Sequence, residues 1–305
     1  MVFKHHPDGM FGNIRNDLHA MYGEFVGTVL FLLFALGGVQ ATVTNLSINN
    51  DSDGTTLQGS DAARLMGLFY ISASFGFSLF AIAAIFYRFT GSIFNPNVSF
   101  ALLLCGVITP VRFVLVCIAQ FVGSIAASAI LHGLTPGGLS VNVALGFGTN
   151  KAQGLFIEMF ITSALVLTVL MLAAEKSRFT PFAPLGFGFT LFVLELFAVE
   201  YTGGAVNTAR AFGPACIQGF ASYHWIYCTS PTLGSLLATA FWYILKHIKY
   251  WEINPGQDSV DYKDNVHHND APLSDLVGRG RDRNSTGADG ARDSQQNLNR
   301  NSSIV

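Results

Sequence analysis

Six long apolar stretches alternate with short polar connections along most of the chain. Each approaches the ~20 residues that an α-helix needs to cross a bilayer. They cover about residues 21–43, 65–89, 110–131, 153–174, 182–200 and 225–248. Two further apolar stretches, at 95–104 and 207–217, are about half as long, which is typical of segments that enter a membrane without crossing it. Such backbone is tolerated at membrane depth only inside protein or against water. The pattern predicts an all-α membrane protein with six transmembrane helices and two re-entrant half-helices around a polar path.

The two halves of this pattern repeat each other. Glu24 and Glu158 occupy the same place in the first and fourth stretches, and each half carries one Asn-led short segment after its second stretch. Because each half has three spans, the second must be inverted relative to the first, which puts the polar site between the halves at the midplane. The predicted domains are a leader at 1–20, a six-span domain at 21–250 with repeats at about 21–131 and 153–248, and a tail at 251–305.

Composition and charge narrow the class of protein. Only 12% of residues are charged and 50% are hydrophobic, whereas soluble domains average about 25% charged residues. The net charge of −2 provides no basic surface for nucleic acid. The polar tail at 251–305 cannot bury enough apolar area to fold, so we predict a disordered segment. The leader lacks the apolar core of a cleaved signal peptide, so we expect the first span to be retained.

Basic residues flank the helix ends unevenly. One set of ends carries Lys4, Arg15, Arg88, Arg112, Lys176, Arg178, Lys246 and Lys249, and the other carries only Arg64 and Lys151. The richer side is expected to be cytoplasmic, which puts both termini there and the 44–64 loop outside. That loop contains two N-x-S sequons, so Asn45 and Asn50 are candidate glycosylation sites.

The four cysteines show no metal-binding or disulfide spacing. Cys105, Cys117, Cys216 and Cys228 lie in or beside apolar segments, without a CxxC pair. We expect small buried thiols. No metal ion and no cofactor is predicted, and no nucleophile or phosphate-binding motif indicates an enzyme.

The two short segments begin with related triplets. The first is Asn95-Pro96-Asn97 and the second is Asn207-Thr208-Ala209. Asn is a favoured N-cap and Pro suits the first helical position, so Asn95 and Asn207 are each predicted to cap a short helix. In an inverted repeat these two N-termini meet near the bilayer centre. Each contributes about half a positive charge, which opposes cations, including hydronium. We also expect both Asn amides to donate hydrogen bonds into the path.

Several ionisable residues lie inside the predicted membrane-spanning region, where such residues usually have a function. Arg210 either lines the polar path, which we favour, or is a structural residue paired with Glu200 or loop carbonyls. Glu195 is a second candidate for the path. Glu24 and Glu158 are predicted to be structural carboxylates that bind loop N–H groups away from the half-helix ends.

These motifs resemble the aquaporin (major intrinsic protein) family. The resemblance covers about residues 20–250 and rests on Glu-Phe-Val-Gly-Thr at 24–28, Phe-Asn-Pro-Asn-Val-Ser at 94–99 and the segment 201–215. It implies a homotetramer with one pore per subunit and with the paired Asn residues at the pore centre. It also implies an external constriction, or selectivity filter, formed by Phe75, Glu195, Gly204 and Arg210.

The chain departs from the usual pattern of that family, whose Asn-Pro-Ala triplets are altered here at Asn97 and Thr208. We expect Thr208 to loosen the helix start modestly and Gly204 to widen the constriction. Ala211 follows the motif Arg, as in water-conducting members, whereas glycerol-conducting members usually have Asp.

The resemblance therefore implies a passive water channel in the plasma membrane that excludes protons and ions and also admits small neutral solutes. A channel mainly for glycerol or ammonia is the first alternative. A proton-coupled secondary transporter shares the inverted repeat and could use Glu195 as a relay. A non-conducting junctional or adhesion protein on the same scaffold is a further alternative.

Overall fold

The computed structural model describes residues 13–51, 61–254 and 256–257, without the side chains of 46–51 and 61. Eight α-helices and no strand occur in the part of the chain described. They are α1 (Ile14–Asp51), α2 (Asp61–Thr90), α3 (Pro96–Leu104), α4 (Pro110–Leu134), α5 (Lys151–Val169), α6 (Ala183–Thr202), α7 (Thr208–Gln218) and α8 (Ile226–His247). A π-helical turn, Leu170–Ala174, extends α5. The predicted all-α architecture with two short helices is confirmed.

Local sequence signals set several helix ends. Thr109 caps α4 by accepting a hydrogen bond from the N–H of Arg112, and Pro110 follows at the first helical position. Asn150 and Gln153 form a capping box at the start of α5. Gly203 ends α6 with a φ of 81°, a conformation that favours glycine.

Five helical segments of the described chain are long and apolar enough to cross a membrane. They are Ile14–Asn45, Ala62–Thr90, Pro110–Leu134, Lys151–Ala174 and Thr180–Thr202. The sixth predicted span, α8, is not among them, because Thr, Ser and Pro interrupt its apolar sequence. Its 22 residues nevertheless extend about 33 Å, enough to cross the hydrocarbon core.

The helices pack as two related halves. Helix α1 packs against α2 and α4, and α5 packs in the same way against α6 and α8. The half-helices cross between the halves, because α3 packs against α8 and α7 packs against α4. This exchange places the N-termini of α3 and α7 in the middle of the bundle.

The two halves approach each other closely at a glycine pair between α2 and α6. A Cβ atom on Gly76 would lie 2.8 Å from the carbonyl oxygen of Gly188, and one on Gly188 would lie 2.5 Å from that of Gly76. Real Cβ atoms do not come so near to backbone, so the contact requires glycine on both helices. Small residues allow such close packing in membranes, where the hydrophobic effect does not drive helices together.

The first helix is longer at both ends than the predicted span of 21–43. Helix α1 begins at Ile14, inside the predicted leader, and continues to Asp51, inside the predicted 44–64 loop. Both candidate glycosylation sequons therefore begin in a helix rather than in a loop, and the side chain of Asn50 lies outside the described residues. The apolar stretch alone underestimated α1, because helices extend beyond the hydrocarbon core into polar surroundings.

The described residues from Lys249 onward belong to a second unit of the chain. A short 3₁₀ turn covers Tyr250–Glu252, and Nζ of Lys249 lies 3.3 Å from Oε1 of Glu252. Most of the predicted disordered tail at 251–305 lies outside the described residues.

The prediction of buried thiols is wrong. Cys216 and Cys228 are exposed, and Cys105 and Cys117 are half-buried. All four are free thiols. Many large apolar side chains are also exposed on the outside of the bundle, among them Phe77, Phe156, Phe160, Phe189 and Phe197. An apolar sequence position in a membrane helix can face lipid as well as the core, so hydropathy does not distinguish the two.

Candidate pore site

Asparagine caps both half-helices with nearly identical backbone geometry. Asn95 has φ −150° and ψ 115°, and its side chain accepts a hydrogen bond from the N–H of Asn97. Asn207 has φ −148° and ψ 114°, and its side chain accepts from the N–H groups of Ala209 and Arg210. The predicted N-caps are confirmed, and the two caps are equivalent positions of the inverted repeat.

Each cap also reaches across to the other half of the chain. Nδ2 of Asn95 donates to the carbonyl oxygen of Val206 over 3.1 Å, and Nδ2 of Asn207 donates to that of Phe94 over 2.8 Å. These reciprocal bonds join the tips of α3 and α7. They also use one of the two N–H groups on each amide, so each Asn retains one further donor rather than the two that a free amide offers.

Glu24 fixes the chain just before α3. Its carboxylate accepts hydrogen bonds from the N–H groups of Ile93 (3.1 Å) and Phe94 (2.7 Å). Nε2 of Gln120 donates to the same carboxylate over 2.9 Å, and the glutamate side chain is fully buried.

Glu158 does the same before α7. It accepts from the N–H groups of Ala205 and Val206, both over 2.9 Å, and from the hydroxyl of Thr202 over 2.6 Å. The expectation that these glutamates lie away from the half-helix ends is wrong, because each binds the residue directly before a capping Asn. The inverted repeat thus gives the two carboxylates equivalent roles, because each binds the backbone N–H groups just before a half-helix.

The residues held by these glutamates have strained backbone. Phe94 has a φ of 48° and Val206 a φ of 55°, a region that is unusual for bulky or β-branched residues. Such conformations cost about 1–3 kcal/mol and persist only where surrounding contacts determine them. Here the strain turns the Phe94 and Val206 carbonyls toward the opposite Asn.

A narrow cavity lies beside the joined tips. Its volume is about 20 Å³, and a cavity needs about 10–15 Å³ to hold a water molecule. Mainly apolar side chains line it, together with the two Asn residues, Glu195 and Arg210. The apolar lining residues are Phe31, Phe75, Leu79, Ile93, Phe94, Leu165, Leu191, Ala205 and Val206.

Arg210 borders this cavity from α7. Its Nη1 donates to the carbonyl oxygen of Val141 over 3.1 Å, and its guanidinium carbon lies 4.9 Å from the centre of the Phe75 ring. The suggested pairing with Glu200 is wrong, because Glu200 forms an ion pair with Arg64. Arg210 is thus both held by a loop carbonyl and adjacent to the cavity.

Glu195 lies next to Gly204. A Cβ atom on Gly204 would overlap the carboxylate of Glu195. The expectation that Gly204 widens the constriction is therefore wrong, because the carboxylate fills the space that a side chain would take. Neither carboxylate oxygen of Glu195 nor Nε of Arg210 has a hydrogen-bond partner among the described residues. The two charged side chains face the same cavity with these atoms unpaired.

The pattern of the family described as Major intrinsic protein matches residues 13–243. The chain belongs to the major intrinsic protein family. It is 54% identical over 261 residues to "Aquaporin-1" of Laccaria bicolor, covering 85% of this chain and 81% of that one. It is 45% identical over 255 residues to "Aquaporin-1" of Gibberella zeae, covering 84% and 78%.

A solved structure supports the fold alone. The aquaglyceroporin of Plasmodium falciparum matches with a TM-score of 0.63 at 17% identity, covering 77% of this chain and 99% of that one. Aquaporins of the major intrinsic protein family are channels for water and small solutes rather than enzymes, and this chain is accordingly an integral membrane protein of a channel family.

Most of the residues that line the cavity were not predicted from the sequence. Phe31, Leu79, Leu165 and Leu191 line the cavity, but each lies in an ordinary apolar stretch. Gln120 was missed as well, although a buried Gln in an apolar span is a signal of a polar partner.

Proposed function

We propose that the chain forms a passive transmembrane pore for water and small neutral solutes that excludes protons and ions. The observation that supports this most directly is the meeting of two Asn-capped half-helices beside a cavity of about 20 Å³. That volume is enough for one water molecule. In this proposal Asn95, Pro96, Asn97, Asn207, Thr208 and Ala209 form the pore motif, and Phe75, Glu195, Gly204 and Arg210 form the selectivity filter.

Proton and cation exclusion follow from the charges beside the cavity. Two helix N-termini each contribute about half a positive charge, and the guanidinium of Arg210 offsets the carboxylate of Glu195, so the balance of charge beside the cavity stays positive. The free N–H group of each capping Asn can donate to a water oxygen, which turns that water out of a continuous proton wire. An ion would also lose its hydration between the mainly apolar walls of the cavity. The free energy of removing that hydration is far larger for an ion than for a neutral solute.

We infer that water is the main solute. The small cavity and Ala211 after the motif Arg both favour it over glycerol. Glu195 supports passage of ammonia as a lesser solute, because its unpaired oxygens can accept N–H groups.

We further propose a homotetramer in the plasma membrane with both termini in the cytoplasm. The exposed apolar side chains on the outside of the bundle support contacts with lipid and with neighbouring subunits. The uneven distribution of Lys and Arg supports the orientation.

Osmotic shrinkage of proteoliposomes tests the pore. Leu191 and Leu196 lie on the same helix, but Leu191 is 3% exposed beside the cavity and Leu196 is 44% exposed on the outside. Leu191→Trp should abolish most of the protein-dependent water flux, whereas Leu196→Trp should leave it near the unmodified rate. Equal fluxes for the two variants, with verified insertion, would contradict a pore at this place.

A second measurement separates the channel from a proton-coupled transporter. A pH-sensitive dye inside the same vesicles should report no proton entry during water flow, and collapsing the proton gradient should leave the flux unchanged. Glu195→His, compared with Glu200→His on the same helix, should alter the ratio of water, glycerol and ammonia permeabilities. An unaltered ratio would remove Glu195 from the proposed filter.

A further inference from the structure

We propose that Asn97 and Thr208 are a compensating pair that positions the two half-helices, so that each residue is tolerated only in the presence of the other. These are the two positions at which the triplets of the chain depart from Asn-Pro-Ala. They lie in different halves of the repeat and 111 residues apart. Asn97 and Thr208 join the tips of the two half-helices, so their pairing does not depend on which solute passes between the tips.

The side chain of Asn97 binds the first turn of the opposite half-helix. Its Oδ1 accepts a hydrogen bond from the backbone N–H of Thr208 over 2.9 Å, and the hydroxyl of Thr208 lies 3.0 Å from the same oxygen. A Pro at position 208 has no N–H, and an Ala at position 97 has no acceptor. The bond therefore requires both departures at once.

The bond completes the hydrogen bonding at the start of α7. The first N–H groups of a helix have no partner within the helix. Asn207 accepts from the N–H groups of Ala209 and Arg210, and Asn97 accepts from that of Thr208, the first helical residue. In α3 the equivalent residue is Pro96, which has no N–H to satisfy. The hydrogen bond to Asn97 thus satisfies the first N–H of α7, whereas α3 begins with a proline that has no N–H to satisfy.

The backbone before Thr208 already has the geometry that precedes a proline. Asn207 and Asn95 differ by 2° in φ and 1° in ψ, and Asn95 is followed by Pro96. Residues before proline favour extended backbone of this kind. The backbone of Asn207 therefore suits a proline at position 208. With Asn97 present, such a proline should both lose the hydrogen bond and crowd Oδ1 of Asn97, because its ring replaces the N–H that points at that oxygen.

Because Asn97 and Thr208 are buried, leaving either of them without its hydrogen-bond partner should lower the stability of the protein. Asn97 is 4% exposed and Thr208 is 9% exposed, so water does not readily replace a lost partner. Removing one partner leaves a buried donor or acceptor unsatisfied, whereas removing both can be nearly neutral.

The pair is also fixed by α8. The hydroxyl of Thr208 lies 3.1 Å from the carbonyl oxygen of Tyr227, and Oγ of Ser235 donates to the backbone carbonyl of Asn97 over 2.8 Å. Both half-helix starts are thereby held against one membrane helix. Asn97 and Thr208 act through this placement, which makes them positioning residues.

The test compares Thr208→Pro in two backgrounds. With Asn97 present, T208P should lower the midpoint temperature of unfolding in detergent and reduce water flux, because Oδ1 of Asn97 loses its donor and is crowded by the proline ring. In the N97A background the same T208P change should raise both, because it removes the N–H that N97A leaves unsatisfied. The sign of the proline effect should therefore reverse.

Two controls distinguish pairing from general damage. Asn142 lies in an exposed loop and donates to the carbonyl of Gly219, so T208P combined with N142A should be additive. Thr208→Ala keeps the backbone N–H and should be milder than T208P when Asn97 is present, but worse than T208P in the N97A background.

The outcomes are decisive in either direction. A double variant N97A/T208P that is recovered folded when N97A is not, or that has a higher midpoint and a more nearly normal water-to-glycerol ratio than N97A, supports the pair. A double variant that equals the sum of the two single losses, or that cannot be recovered while N97A can, overturns it.

Discussion

The carboxylate of Glu195 occupies the space beside Gly204 that any larger side chain would need. Gly204→Ala should therefore displace Glu195 and change the water-to-glycerol permeability ratio. A barrier change of ~1.4 kcal/mol alters a rate about tenfold, so we expect at least a severalfold change in proteoliposomes. Gly148→Ala is the matched control, because Gly148 also has a positive φ but, apart from its chain neighbours, no described residue has an atom within 4 Å of its Cβ position. The same ratio in both variants would show that Glu195 does not set it.

The binding of the Ala205 and Val206 N–H groups by Glu158 predicts a stability effect. Glu158→Gln has one side-chain oxygen where the carboxylate has two, so at least one buried donor loses its partner. Each such loss costs about 1–3 kcal/mol. We expect the unfolding midpoint in detergent to fall by several degrees and water flux to fall with it.

Glu200→Gln is the control for this change. Glu200 is partly exposed and pairs with Arg64, and pairs of this kind contribute only about 0–1 kcal/mol. A Glu158→Gln protein as stable as Glu200→Gln would mean that the carboxylate does not support the start of α7.

The contact between α2 and α6 predicts opposite effects for two glycine substitutions. A Cβ atom on Gly188 would contact the carbonyl of Gly76, whereas a Cβ on Gly133 in α4 would have no atom within 4 Å from any described residue outside its own stretch of helix. Gly188→Ala should lower the unfolding midpoint by several degrees, because the helices must separate. Gly133→Ala should be neutral or raise stability by about 0.5–1 kcal/mol, since alanine favours helix. Thermal unfolding of both variants in one detergent measures the difference, and a stable Gly188→Ala protein would contradict the tight crossing.

The acid side of the stability profile should depend on His224. This imidazole lies in the connection before α8, outside the spanning helices, and burial lowers its pKa. The pKa of His224 in the folded protein is thus below its value of ~6.5 in the unfolded chain. As the pH falls, the unfolded chain therefore binds more protons than the folded protein does. Its contribution to stability is complete above about pH 6.5 and decreases below that value.

His224→Phe should therefore flatten the loss of stability between about pH 7 and pH 5. The measurement is the unfolding midpoint of both proteins across that range, with the difference between them isolating His224 from other titrating groups. Parallel curves would show that this imidazole has the same pKa in both states.

Local signals made the half-helices predictable. Asn followed by Pro or Thr specifies an N-cap through nearest neighbours, and the caps at Asn95 and Asn207 lie where the sequence indicates. The apolar stretches likewise located the long helices, because the bilayer sets a minimum length that is visible in one dimension. The ends of α1 were missed because its polar turns lie beyond that apolar length.

Relations between distant segments were not predictable in the same way. The bond from Glu24 to Phe94 joins residues 70 positions apart, and the contact of Glu195 with Gly204 depends on how α6 meets the loop after it. Nothing in the local sequence of Glu24 indicates which N–H groups it will bind. The exposed cysteines were mistaken for buried ones because lipid and protein interior favour the same apolar sequence.

The reciprocal bonds between the capping asparagines and the opposite carbonyls have a consequence for biosynthesis. Asn95 is translated 111 residues before Val206, whose carbonyl it binds. At about 5–20 residues per second, the tip of the first half exists for roughly 5–20 seconds before its acceptor is made. During that interval the amide of Asn95 lacks its native acceptor. The hydrogen bonding of the first half-helix is therefore complete only after the ribosome has made the second repeat.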